Sequence, residues 1–146
     1  MKHFKLVGFL LVIAMSFVLS SCDSIRLKAD VAASNEDCPI YIDEGMVCTK
    51  IQLKDDYVEY VVNVDEEIGT GYDDSFTVDD YDDPAIKEVF KLAILEEFRN
   101  PESISDYADY QEFLDLCRSC KVGIRWKLVG NTTGHVSFIN IEYWEF

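Results

Sequence analysis

Met46-Val47-Cys48-Thr49-Lys50-Ile51-Gln52-Leu53-Lys54-Asp55-Asp56-Tyr57-Val58-Glu59-Tyr60-Val61-Val62-Asn63-Val64 decides the fold. Val47, Thr49, Ile51 and Leu53 alternate with Met46, Cys48, Lys50 and Gln52, and a second run repeats the pattern with Val58, Tyr60, Val62 and Val64. A period of two marks half-buried strands, and Asp55-Asp56 between the runs supplies the turn, so the segment predicts a β-hairpin. A long acidic connection over residues 65–83 follows. Asp83-Pro84 then opens a helix, with an acid placed to cap it and proline at the first helical position. Ile86, Val89, Phe90, Ala93, Ile94 and Glu97 recur at helical spacing until Asn100-Pro101 stops the run. Tyr107, Tyr110, Phe113 and Leu114 predict a second, shorter helix over residues 106–116.

The period then returns to two. Val122, Ile124, Trp126 and Leu128 form one face of a strand, Gly130-Asn131-Thr132-Thr133-Gly134 reads as a turn, and residues 136–146 predict a long aromatic strand. Ile139, Ile141 and Tyr143 fall on its inner face. The order β-β-α-α-β-β places the chain in the α+β class, an antiparallel sheet of about four strands with two helices packed on one face.

Upstream of the hairpin, Lys2 and Lys5 precede an apolar run from Leu6 to Leu19, and Leu19-Ser20-Ser21-Cys22 closes it. A basic start and an apolar stretch too short to span a bilayer comfortably describe an export signal. The tetrapeptide resembles the lipobox of bacterial lipoproteins, whose cysteine is lipidated and becomes the new N-terminus. That resemblance divides the chain into a signal peptide over residues 1–21, a lipidated Cys22 with a tether through residue 37, and a single globular domain over residues 38–146. It implies acyl chains on Cys22, among them palmitate, and a cell-envelope location facing the periplasm or the exterior. One acyl chain anchors only marginally, so stable attachment takes more than one.

The formal net charge is −15, and losing the signal segment with its two lysines makes the remainder more acidic. So negative a surface repels nucleic acid and anionic headgroups. The four cysteines beyond Cys22, at positions 38, 48, 117 and 120, form an even set in an oxidising compartment. They are expected to form disulfides whose pairing the sequence does not choose. Cys117-Arg118-Ser119-Cys120 is also a candidate thiol–disulfide site. It follows a helix rather than opening one, however, so the helix dipole opposes a reactive thiolate.

Asp73, Asp74, Asp79 and Asp80 in the acidic connection are the residues that could ligate calcium, although their spacing is not that of an EF-hand. A solvated acidic loop is the expectation for that connection, with no metal and no cofactor. His135 remains once His3 leaves with the signal, and no nucleophile elbow, metalloprotease helix or phosphate loop occurs. Trp144 and Phe146, with Phe138 and Tyr143, load the last strand on both faces. Its outer face is therefore a candidate surface for a partner, which could be an envelope protein, a glycan or a second copy of the chain.

Cys38-Pro39, Gly45-Met46-Val47 and Gly123-Ile124-Arg125-Trp126-Lys127, with the Gly130–Gly134 turn, resemble small uncharacterised lipoproteins of Bacteroides-type Gram-negative bacteria. That resemblance implies a compact exported α+β domain and transfers no catalytic residue. The expectation is a lipid-anchored, non-catalytic binding or envelope-interaction module. The alternatives are a hydrolase acting on exported glycans or peptides and a thiol–disulfide redox protein.

Overall fold

A computed structural model describes residues 23–67, 77–100 and 104–146. The expected hairpin is present: Met46–Lys54 forms β2 and Tyr57–Val64 forms β3, with Lys54 opposite Tyr57 across the two-residue turn. Asp55 turns the chain at φ 54, a left-handed conformation that aspartate tolerates better than most side chains. The pairing register shifts between Cys48 and Lys50. The extra residue, Thr49, changes the facing of β2 part-way along, so Met46 and Cys48 are buried before it and Ile51 after it. Simple alternation places these residues on opposite faces. The bulge reconciles them.

Ile40–Asp43 adds a short edge strand, β1, antiparallel to β2. Gly123–Gly130 is β4 and Val136–Ile141 is β5, giving the five-stranded order β1-β2-β3-β4-β5. The fold is α+β, but the sheet is mixed rather than wholly antiparallel, because β4 runs parallel to β3 in register from Tyr57↔Gly123 to Val64↔Gly130. The two helices between them supply the cause. A connection long enough to cross back over the sheet returns the chain to the end where β3 began, and parallel neighbours need such a crossover.

A third helix replaces the expected tether. Asp23–Glu36 forms α1, and Leu27 and Val31, one turn apart, are buried with the core. Residues 23–36 are thus part of the packed fold. Two large apolar residues make too narrow a stripe to announce a helix, since Asp30 and Ser34 complete the buried face. The Ser34 hydroxyl satisfies itself on the Asp30 carbonyl at 2.9 Å. Asn35 then ties the helix to the sheet, its Oδ1 accepting from the Ile51 N–H at 2.9 Å.

Pro84–Arg99 forms α2, opened as expected by Asp83, whose Oδ1 accepts from the Ala85 N–H at 2.8 Å. Ile104–Ser119 forms α3, longer than its apolar stripe suggests. It ends at Lys121 (φ 55), with the Val122 N–H donating back to the Cys117 carbonyl.

All three helices cover one face of the sheet. At its centre Trp126 stacks on Tyr60 at 5.7 Å and meets the edge of Phe90 at 5.8 Å. The last strand stops early. Beyond Ile141 the chain turns, the Glu145 N–H bonding to the Glu142 carbonyl, so Tyr143 lies outside β5 and off the inner face expected for it. Phe146 returns to pack edge-on against Phe98 at 6.3 Å.

Candidate interaction surface

With the helices on one side, the other face of the sheet is open. Its central feature is Arg125, which β4 projects outward between the buried Ile124 and Trp126. Its guanidinium carbon lies 4.2 Å from the Tyr57 ring centroid on β3 and 5.4 Å from that of Phe138 on β5. Nε donates to Asn140 Oδ1 at 3.1 Å, and Nη1 reaches Asp55 Oδ2 at 3.2 Å and Glu59 Oε2 at 3.4 Å. Burial works against the Arg125 charge, but Asp55 and Glu59 outweigh it and hold the group protonated. Glu59 has no exposed surface although it is on the outward face, because Arg125 covers it and Gln52 Nε2 donates to its Oε1 at 2.9 Å. Val61, Lys127 and Phe138 lie abreast on the three adjacent strands. Phe138 stands 41% exposed.

The two aromatic residues singled out in the sequence as partner contacts, Trp144 and Phe146, lie past the end of β5 rather than on it. Trp144 is 67% exposed beyond the end of β5. Phe146 is half-buried against α2 and α3, with Arg118 over its ring and Arg118 Nε donating to its carbonyl at 2.7 Å. Phe138, carried by the same sequence run, is the aromatic residue that marks the sheet face.

The acidic connection is anchored rather than wholly solvated. Glu66 is buried, and its Oε1 accepts from the N–H groups of Thr132 and Thr133 at 3.1 and 2.9 Å, while Oε2 accepts from the Val78 N–H at 2.9 Å. The Thr133 hydroxyl donates to the same carboxylate at 3.0 Å. Burial alone would raise the Glu66 carboxyl, but these donors outweigh it and hold it below its ordinary value. No pattern in the sequence announces this latch, because its donors come from a turn 66 residues away. Thr77 is the N-cap of the 3-10 helix Val78–Asp82; Asp80 Oδ2 accepts from the Thr77 N–H at 2.7 Å, and Asp79 Oδ1 accepts from the Thr77 hydroxyl. Asp73 and Asp74 lie outside the described residues, as do Cys22 and the signal segment. Among the described residues no cluster of three or more His, Cys, Asp or Glu groups could hold a metal.

His135 is not a bare loop histidine. Its Nε2 lies 2.6 Å from Asp82 Oδ2, and Ser137 Oγ donates to Asp82 Oδ1 at 2.8 Å. These bonds, Ser137's first and then His135's, hold the Asp82 carboxyl below its ordinary value. The aspartate sits between the other two, and the buried serine donates to the acid rather than to the imidazole. That order clamps the start of β5 to the 3-10 helix and activates no nucleophile.

In this structure the four described cysteines stand as thiols, with no disulfide among them. Cys38 and Cys48 are nonetheless in hydrogen-bond contact. Burial pushes the Cys48 thiol up to about 12, and burial followed by the neighbouring Cys120 pushes Cys117 higher still. Neither is a reactive thiolate.

No protein-family model matches the chain, and no curated protein does. Among solved structures it is similar in fold to the pilotin EpsS of the Vibrio vulnificus type 2 secretion system, at 12% identity and a TM-score of 0.53, over 84% of this chain and 90% of that one. A secreted protein of Pseudomonas aeruginosa aligns at 8% identity and a TM-score of 0.49, over 86% of this chain and 97% of that one. Among the described residues no helix is long and apolar enough to cross a membrane.

Proposed function

We propose that the protein is a lipid-anchored, extracytoplasmic binding module that holds a protein of the cell envelope against the helix-free face of its sheet. The observation that carries this reading is Arg125, held by two carboxylates and an amide and flanked by Tyr57 and Phe138. A rigid arginine beside aromatic rings suits a binding centre, because little side-chain freedom remains to be lost on association. The lipobox at Cys22 supports the compartment. The pilotin likeness shows that this fold serves in a secretion system elsewhere, and a pilotin-like task of escorting or seating an envelope protein is the specific form proposed. Kinship with the Bacteroides-type lipoproteins belongs to the same proposal.

Site-specific photocrosslinking in cells tests it. A benzophenone side chain at Phe138 is expected to give a discrete adduct with an envelope protein, and the same group at Val89, exposed on α2, is expected to give none. An adduct of twice the protein's own mass would identify the partner as a second copy. Equal labelling from both positions, or none from Phe138, would refute the assignment of the face.

A further inference from the structure

Asp23 adjoins Cys22 in sequence, so a lipidated Cys22 lies one Cα step of about 3.8 Å from a residue fixed in the fold. Asp23 is the first residue of α1, and its carboxylate accepts a hydrogen bond from the Ser119 hydroxyl at the end of α3. Arg26, one turn on, pairs with Glu112 of α3. The anchor point is therefore built into the domain, with no slack chain between them.

The same end of the molecule carries the C-terminal turn. Arg118, beside Ser119, donates to the Phe146 carbonyl. Gly123 at the start of β4 bonds to Asp56, and Ile124 pairs with Ile141, the last residue of β5. Trp144 follows within three residues. It is 67% exposed and meets Tyr143 edge to face at 4.9 Å, while Ile25, two residues into α1, is 54% exposed. Tryptophan and tyrosine favour the boundary between headgroups and acyl chains. Asp23, Asp115, Arg118 and Lys121, at the adjoining ends of α1 and α3, mix both signs. That mixture suits a zwitterionic headgroup layer and gives no polybasic attraction to anionic lipid.

We infer that Trp144 and Tyr143, with Ile25, form a second membrane contact that seats the domain on the bilayer in one orientation, a reading that rests on acylation of Cys22. The lipid then does more than retain the protein near the membrane. It presses one chosen end of the domain into the interface and leaves the Asn131–Gly134 turn at the far end of β4 pointing away.

The chain has two tryptophans, and Trp126 is 1% exposed, so Trp144 can be followed by fluorescence. Full-length protein purified from membranes would be reconstituted into phosphatidylcholine vesicles containing brominated acyl chains, and acylation would be checked by intact mass. Trp144 emission is expected to shift to the blue and to be quenched, and the quenched component is expected to vanish in Trp144→Phe. A tryptophan placed at Thr132 in that background is expected to remain unquenched. Acylated protein with unquenched Trp144, or equal quenching at position 132, would overturn the seating alone. Absence of the acyl mass would overturn the anchor and the seating together.

Discussion

Glu66 and Thr133, 67 positions apart, share two hydrogen bonds through one carboxylate oxygen: the Thr133 N–H and hydroxyl both donate to Glu66 Oε1, at 2.9 and 3.0 Å. With Thr132 and Val78 they fasten the end of β3 and the 3-10 helix to the β4–β5 turn. Glu66→Gln keeps the shape but turns an amide N–H₂ toward N–H donors, and it is expected to cost about 1–3 kcal/mol in chemical denaturation. The pH dependence has a definite sign. The folded carboxyl lies below its ordinary 4.5, so its contribution is complete above that value and is lost as pH falls through the folded one. Denaturant midpoints measured from neutral into acid are expected to fall less steeply in Glu66→Gln than in the wild type. Parallel profiles would show that the latch does not titrate with folding.

Gly130 stands against the same carboxylate. A Cβ there would clash with Glu66 Oε1, and that oxygen cannot withdraw without losing its donors. Gly130→Ala is expected to destabilise by about 1–3 kcal/mol, the usual range for overpacking. Adding Glu66→Ala removes the obstacle, so the double variant is expected to be more stable than the sum of the single effects predicts, with coupling of about 0.5–3 kcal/mol. Strict additivity in urea melts would place the cost of alanine in the backbone instead.

Among the described residues, Arg125 is the cation paired with Glu59. Glu59 has no exposed surface, and Arg125 is 14% exposed at the side chain. Arg125→Met leaves Glu59 buried and unpaired, and this is expected to cost about 3–5 kcal/mol. Arg125→Met with Glu59→Gln is expected to recover most of that loss, because no charge remains to be compensated. Asp55→Asn, by contrast, keeps a side chain suited to the left-handed backbone at φ 54 and removes the charge of a partner that is 67% exposed, and it is expected to change stability by less than about 1 kcal/mol.

These clusters mark the boundary of what the sequence makes legible. Strand and helix periodicity placed Val58 to Val64, Ile124 to Leu128, the Asp83-Pro84 cap and both later helices, since each is a local pattern read over one or two turns. Beside the four-residue edge strand β1, two further features escaped for physical reasons. The parallel β3–β4 pair is a consequence of where the crossover returns, which no residue encodes locally. α1 hides because its buried face is half polar: Asp30 and Ser34 interrupt the stripe of Leu27 and Val31, and the segment looks solvated until β2 and α3 are there to cover it. The outer-face site was half legible. The aromatic loading of the last strand pointed to it, but Trp144 and Phe146 drew attention to a turn, while the centre is Arg125, whose partners Asp55, Glu59 and Asn140 converge only when three strands lie side by side.

Cys38 and Cys48 are the thiols placed to pair. β1 brings Ile40 opposite Cys48, and Cys38, two residues earlier, reaches the same sulfur. Burial holds the Cys48 thiol up to about 12, so at neutral pH little of it is the thiolate that must attack. Purified reduced protein is accordingly expected to oxidise slowly in air. The same chain exported through a compartment with a disulfide-bearing oxidoreductase is expected to carry a Cys38–Cys48 link in a non-reducing peptide map. The bond would close a loop of about ten residues and stabilise by about 2–3 kcal/mol on the chain-entropy account. The loss is expected to appear in Cys48→Ala only when wild type is oxidised. Linkage of Cys38 to Cys117 or Cys120 in the exported protein would refute the pairing.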